Sequence, residues 1–190
     1  PPNFVFKNSG GSRMFKIVKN NNFKVDELKK LGSYYLSIDF GSYGYRKIPF
    51  LGLEEPQYNY NDKKIFLEEY IPNTTELRIL MIKGEILYYE IINDSINLNE
   101  RVDNNWDKIN VLYREKNNKN KKVLTDKLPY IEKINKFCYD FYNKEKIDFV
   151  RIDFLISGED YYFGEFTFTP ENCREPHCQE FENKFKKLIV

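Results

Sequence analysis

Apolar positions alternate along several short stretches of the chain, and that alternation predicts strands before anything else is considered. Phe4 to Lys7 and Met14 to Lys19 read as two strands joined by the glycine-bearing loop Asn8 to Arg13. Lys64 to Ile71 reads as a third, ended by the turn Pro72-Asn73-Thr74-Thr75. Glu76 to Ile82 and Glu85 to Ile92 predict a hairpin around Lys83-Gly84, a short loop in which glycine supplies a positive φ. Phe149 to Ser157 and Tyr161 to Thr169 predict another around Gly158-Glu159-Asp160.

Three stretches carry helical spacing instead. Val25, Leu28 and Leu31 predict a short helix over Lys24 to Leu31. Leu128, Ile131, Ile134, Phe137, Cys138 and Phe141 predict an amphipathic helix over Leu128 to Tyr142, with Asp126 available as its N-cap. Gln179 to Ile189, carrying Phe181, Phe185 and Leu188, predicts a closing helix. Gly32 to Asn61, rich in Gly, Tyr, Ser and Pro, reads as irregular backbone. The expected class is α+β, with mainly antiparallel hairpins in two lobes, residues 1–71 and 72–190, each covered by one or two helices.

Composition narrows the functions open to such a fold. At 190 residues and 41% hydrophobic, the chain is long and apolar enough to bury a core. Its 30 Lys+Arg nearly cancel 29 Asp+Glu, which excludes a polycation. Lysine (23) and asparagine (21) are abundant while alanine is absent, the mark of an AT-rich genome, so scattered lysines carry little functional weight. The run Lys116 to Lys122 has no interleaved aromatic and reads as a solvated loop; no nucleic-acid partner is expected. No apolar stretch approaches the roughly 20 residues of a membrane span, and Pro1 to Gly10 lack a signal-peptide pattern, so a cytoplasmic protein is expected. Cys138, Cys173 and Cys178 form no disulfide framework, and Cys173, His177 and Cys178 match no common zinc spacing.

Candidate chemistry concentrates in the last hairpin. Val150, Ile152, Phe154 and Ile156 share one strand face, leaving Arg151 and Asp153 on the other; Glu165, Thr167 and Thr169 break the apolar pattern of the second strand in the same way. A three-residue loop, Gly158 to Asp160, puts Asp153 opposite Glu165 and Arg151 opposite Thr167. Two carboxylates facing each other repel unless something positive lies between them, and oxygen ligands suit Mg²⁺. Without metal, neutralising either is then expected to stabilise slightly. Arg151 is placed to clamp a phosphate or a developing oxyanion. The alternative is a polar face with a cross-strand ion pair.

Two weaker signals lie upstream. Lys7 ends a strand beside the loop Ser9, Gly10, Gly11 and Ser12, a combination suited to an anion. The strand Ile65 to Ile71 ends in Glu68, Glu69 and Tyr70, offering backbone groups to a base edge, with Glu76 and Arg78 following.

The order of strand lysine, glycine-rich loop, LEEYI, RIDFL and GEFTFTP resembles the ATP-grasp superfamily. Phe149 to Pro170 is similar to the ATP-grasp group named for teichuronopeptide biosynthesis. The resemblance implies two antiparallel lobes with ATP in a cleft between them. It places Lys7 on the phosphates, Gly10, Gly11 and Ser12 in the loop over them, Glu68, Glu69, Tyr70 and Ile71 at adenine, and Glu76, with Arg78 beside it, at the ribose. Asp153 and Glu165 become Mg²⁺ ligands and Arg151 the arginine on the transferred phosphoryl group. Thr167 stands where many members carry a metal-binding Asn. The implied activity is a carboxylate–amine ligase working through an acyl phosphate, with ATP, a carboxylate and an amine as partners, in polysaccharide or peptide–sugar polymer synthesis. The superfamily usually carries an N-terminal subdomain before the lysine strand, which here begins at Phe4, so a fragment, or a reduced, non-catalytic nucleotide-binding module, is the expected alternative.

Overall fold

The computed structural model describes residues 2–9, 14–20, 22–38, 62–109, 128, 130–168 and 179–189. The chain forms two compact units, Pro1–Ile71 and Pro72–Val190.

In the first unit β1 (Phe4–Asn8), β2 (Phe15–Val18) and β3 (Ile65–Glu69) make an antiparallel sheet in the order β2-β1-β3. Alternation along β1 buries Phe4, Phe6 and Asn8. Phe4, Phe6 and Val18 pack with Leu28, Leu31 and Tyr35 of α1 (Val25–Ser37). The helix runs past its expected end at Leu31, so the segment predicted irregular from Gly32 is helical as far as Ser37. A Cβ at position 32 would lie 3.2 Å from the Phe6 ring, so glycine lets the helix settle closely on β1 and go on burying its apolar face.

The second unit is an antiparallel sheet of β4 (Thr75–Ile82), β5 (Glu85–Asn93), β6 (Leu98–Val102), β7 (Phe149–Ser157) and β8 (Asp160–Thr167), in the order β6-β5-β4-β7-β8. On one face Ile131, Ile134 and Cys138 of α2 (Ile131–Glu145) meet Leu77, Ile79, Met81, Ile152 and Phe154. On the other, Phe185 and Leu188 of α3 (Gln179–Ile189) meet a smaller cluster of Leu80, Ile82, Leu87 and Tyr88. Helix α2 begins at Ile131 rather than Leu128, with Tyr130 in the N-cap position; Asp126 lies outside the described residues. Among the described residues no helix is long and apolar enough to cross a membrane.

The β4–β5 turn has Lys83 at φ 46° and Gly84 at φ 83°, the positive pair a two-residue hairpin loop needs. A Cβ on Gly84 would sit 2.6 Å from the Tyr142 ring of α2. Gly84→Ala is therefore expected to cost about 1 to 3 kcal/mol in urea unfolding, combining left-handed backbone with overpacking. A loss within error would mean that neither constraint is felt.

Candidate functional site

One transverse row of side chains crosses the five-stranded sheet. Successive register partners are Arg101 on β6, Glu90 on β5, Arg78 on β4, Asp153 on β7 and Glu165 on β8. Register partners share a sheet face, so the row alternates in sign until its last two members, both carboxylates. Arg101 bridges Glu90, and Arg78 Nη1 lies 3.4 Å from Glu90. Arg78 also holds Glu76, two residues back on its own strand, by a bidentate pair at 3.0 and 3.1 Å.

Asp153 is clasped in the same way. Arg151 donates from Nε and Nη2 to the two Asp153 oxygens at 2.8 and 2.7 Å, and from Nη2 to Thr167 Oγ1 at 3.3 Å. The same Nη2 is 3.9 Å from Glu165 Oε1. Burial opposes the Arg151 charge, but the hydrogen bonds and charge of Asp153, helped by Glu165 and Glu90, hold its pKa above the ordinary arginine value. Arg78 is likewise raised: burial lowers it, and Glu76 more than offsets that.

The expected juxtapositions of Asp153 with Glu165 and of Arg151 with Thr167 are present, although the loop that was to produce them is not. The turn leaves only Gly158 and Glu159 unpaired, since Ser157 faces Asp160, and a register shift between Asp153 and Phe154 then restores the pairing. Gly164 is the extra residue of that bulge. A Cβ there would lie 2.9 Å from the Asp153 carbonyl oxygen, so the bulge requires a residue without one. The expected repulsion between the two carboxylates is already offset by Arg151. Slight stabilisation on neutralising Asp153 without metal is therefore no longer the expectation, because that change would strip a buried guanidinium of its partner.

The three side chains around Arg151 Nη2 fit a hard divalent cation. Asp153, Glu165 and Thr167 offer oxygen only, and a positive nitrogen stands among them as a cation would. Among the described residues of the row and its two clasps, three arginines (Arg78, Arg101, Arg151) meet four carboxylates (Glu76, Glu90, Asp153, Glu165). Among the described residues no three His, Cys, Asp or Glu side chains converge as a ready metal cluster. A bound cation here would complete its shell with water or substrate oxygens.

In the first unit Lys7 projects from β1, 3.3 Å from Glu68 of β3 and 5.8 Å from the Phe66 ring centre. Gly10, Gly11 and Ser12 lie outside the described residues. The two ends of their loop are fixed by contacts not anticipated from sequence. The Asn8 amide donates to the Tyr35 carbonyl at 3.0 Å, and the Asn8 backbone N–H donates to Met14 at 3.1 Å. Ser9 Oγ donates to the Asp62 carbonyl and accepts from the Lys64 N–H. Glu68 and Glu69 end β3, the last strand of its sheet among the described residues, and Tyr70 and Ile71 follow it. Lys19 Nζ stands 4.9 Å from the Tyr70 ring centre.

Sequence reasoning missed Glu90 and Arg101, both buried. The signal for Glu90 was present: a single charge inside the apolar run of β5, EILYYEIIN. Arg101 had none, because β6 was not foreseen. Cys138 is a core residue, its thiol pushed up to about 12 by burial, which suits neither a nucleophile nor a metal ligand. Cys173, His177 and Cys178 lie outside the described residues.

The profile of the family described as TupA-like ATPgrasp matches residues 1–189. No curated protein sequence matches the chain. Among solved structures, D-alanine–D-alanine ligase from Helicobacter pylori superposes with a TM-score of 0.51 at 15% identity, over 98% of this chain and 48% of that one. The Bacillus anthracis ligase, complexed with ATP, gives 0.46 at 16% identity, over 87% of this chain and 39% of that one. The ATP-grasp ligase PsnB, complexed with minimal precursor, Mg and ADP, gives 0.44 at 8%, over 87% and 38%. At such identities the Helicobacter likeness shows the fold alone. The chain spans less than half the length of each of these structures.

Proposed function

The chain belongs to the TupA-like ATP-grasp family, and from that membership we propose that it acts as an ATP-dependent carboxylate–amine ligase. The observation that carries the reading is the β7–β8 hairpin, where a bulge brings Glu165 opposite Asp153 with Arg151 between them. A bulge that depends on one glycine to align two carboxylates is hard to explain as surface decoration.

In this reading a substrate carboxylate oxygen attacks the γ-phosphorus of ATP, the bond to the β-phosphate oxygen breaks, and ADP leaves. An amine then attacks the acyl phosphate, forming the amide and releasing phosphate. Lys7 binds phosphate oxygens, as Gly10, Gly11 and Ser12 do through backbone N–H groups. Glu68, Glu69, Tyr70 and Ile71 meet adenine, and Glu76, braced by Arg78, meets the ribose. Asp153, Glu165 and Thr167 would hold Mg²⁺, which supplies charge neutralisation on the phosphates when bound. Arg151 steadies the transferred phosphoryl group. The product class, an amide on a polysaccharide or peptide–sugar polymer, and a cytoplasmic site of action belong to the same proposal.

Titration calorimetry with ATP and ADP is expected to show binding that requires Mg²⁺. No heat at millimolar nucleotide would sink the reading for this chain. A non-catalytic nucleotide-binding module is the second reading, favoured by Thr167 in place of the usual asparagine. ADP release that depends on an added carboxylate and amine separates the two.

A further inference from the structure

One nitrogen, Arg151 Nη2, reaches all three of the oxygens assigned to the cation: Asp153 at 2.7 Å, Thr167 at 3.3 Å and Glu165 at 3.9 Å. Both Asp153 oxygens are engaged by the same guanidinium, the other by Nε at 2.8 Å. The Arg151 and Asp153 side chains are only 12% and 6% exposed, so little water screens charge at this point. A divalent ion bonded to an Asp153 oxygen would sit about 2 Å from it, against a guanidinium already in contact with that oxygen. Two cations that close, in a poorly solvated place, cannot share the carboxylate without strong repulsion.

We propose that Arg151 is the resident counter-cation of this site, and that it and the divalent metal exclude each other from Asp153. Metal loading then does two things together: it occupies the carboxylates and it releases the guanidinium. An unloaded site keeps Arg151 tied to Asp153, unable to meet a phosphoryl group; a loaded one has it available. The neighbouring arginine, Arg78, does not take over the clasp, because it is committed to Glu76 and Glu90. This inference rests on the ligase reading only for the metal's position.

The probe is Mn²⁺ without nucleotide, followed by electron paramagnetic resonance on wild type and Arg151→Met. Removing a competing charge-assisted pair should tighten Mn²⁺ binding by about tenfold or more in the variant. Equal or weaker binding in the variant overturns the competition. If Mn²⁺ binds neither protein, even with ADP added, both the competition and the metal-site reading fall. If it binds wild type with ADP but Arg151→Met gives no gain, only the competition falls. Wild type offers a second readout that needs no variant: the Arg151 Nε–H resonance, protected while it bonds Asp153, should shift and exchange faster on addition of Mg²⁺ and ADP. A resonance left unchanged at saturating Mg²⁺ and ADP overturns the proposal.

Discussion

Glu90→Ala is expected to cost the second unit about 3 to 5 kcal/mol, the range for removing one partner from a buried ion pair. The Glu90 side chain is 7% exposed and lies between two guanidiniums, Arg101 at 8% and Arg78 at 26%. Without it, two positive charges face each other across β5 in a place where water screens them poorly. The lost carboxylate also releases Arg78, whose remaining partner is Glu76, itself part of the proposed ribose contact. Urea unfolding measures the effect. Glu90→Gln, which keeps the shape and a hydrogen-bond acceptor, should lose less. Replacing Glu90 and Arg101 together by leucine and methionine should recover most of the loss, because well-packed apolar groups often replace a buried pair without penalty. A loss below about 1 kcal/mol in Glu90→Ala would mean that the row behaves as a solvated surface network.

The row also marks the limit of what the sequence made legible. β1 and β7, whose burial largely alternates, could be read from period-two apolarity, and β4 and β5, buried on both faces, as apolar runs around a turn signal. β6 could not, because its sequence LNERV buries Glu100 and Arg101 by pairing them with Lys108 and Glu90 rather than by being apolar. Helix α1 was ended at Leu31 because Gly32 opens a stretch rich in Gly, Tyr, Ser and Pro, whereas here that glycine permits a close approach to Phe6. The Asp153–Glu165 pairing was reached through two errors that cancel: a loop taken one residue too long, and a bulge at Gly164 not seen. With the observed turn and no bulge, Asp153 would have faced Gly164, and Glu165 would have turned to the apolar face. Register is a tertiary property here, set by the contact of Gly164 with the Asp153 backbone.

Asp153→Asn is expected to abolish ATP turnover and, in metal-free buffer, to lower stability by about 3 kcal/mol, the low end of the range for breaking a buried pair. Arg151 would keep Thr167 at 3.3 Å and Glu165 at 3.9 Å, which is why the loss should not reach the upper end. Glu165→Gln makes the informative contrast. Its side chain is 56% exposed and more than 1 Å farther from Arg151 than Asp153 is, so without metal the change should fall within about 1 kcal/mol of wild type. With Mg²⁺ and nucleotide the two variants should converge: both lose the ligand-induced rise in melting temperature that wild type shows, since each lacks one charged oxygen donor. Thermal melts of the three proteins, in EDTA and in Mg²⁺ plus ATP, separate the contributions. If Asp153→Asn proves more stable than wild type in EDTA, carboxylate repulsion outweighs the arginine clasp, and Arg151 is not the dominant partner. If both variants keep the full metal-and-nucleotide stabilisation, Asp153 and Glu165 are not its ligands, and the hairpin is a structural ion-pair face.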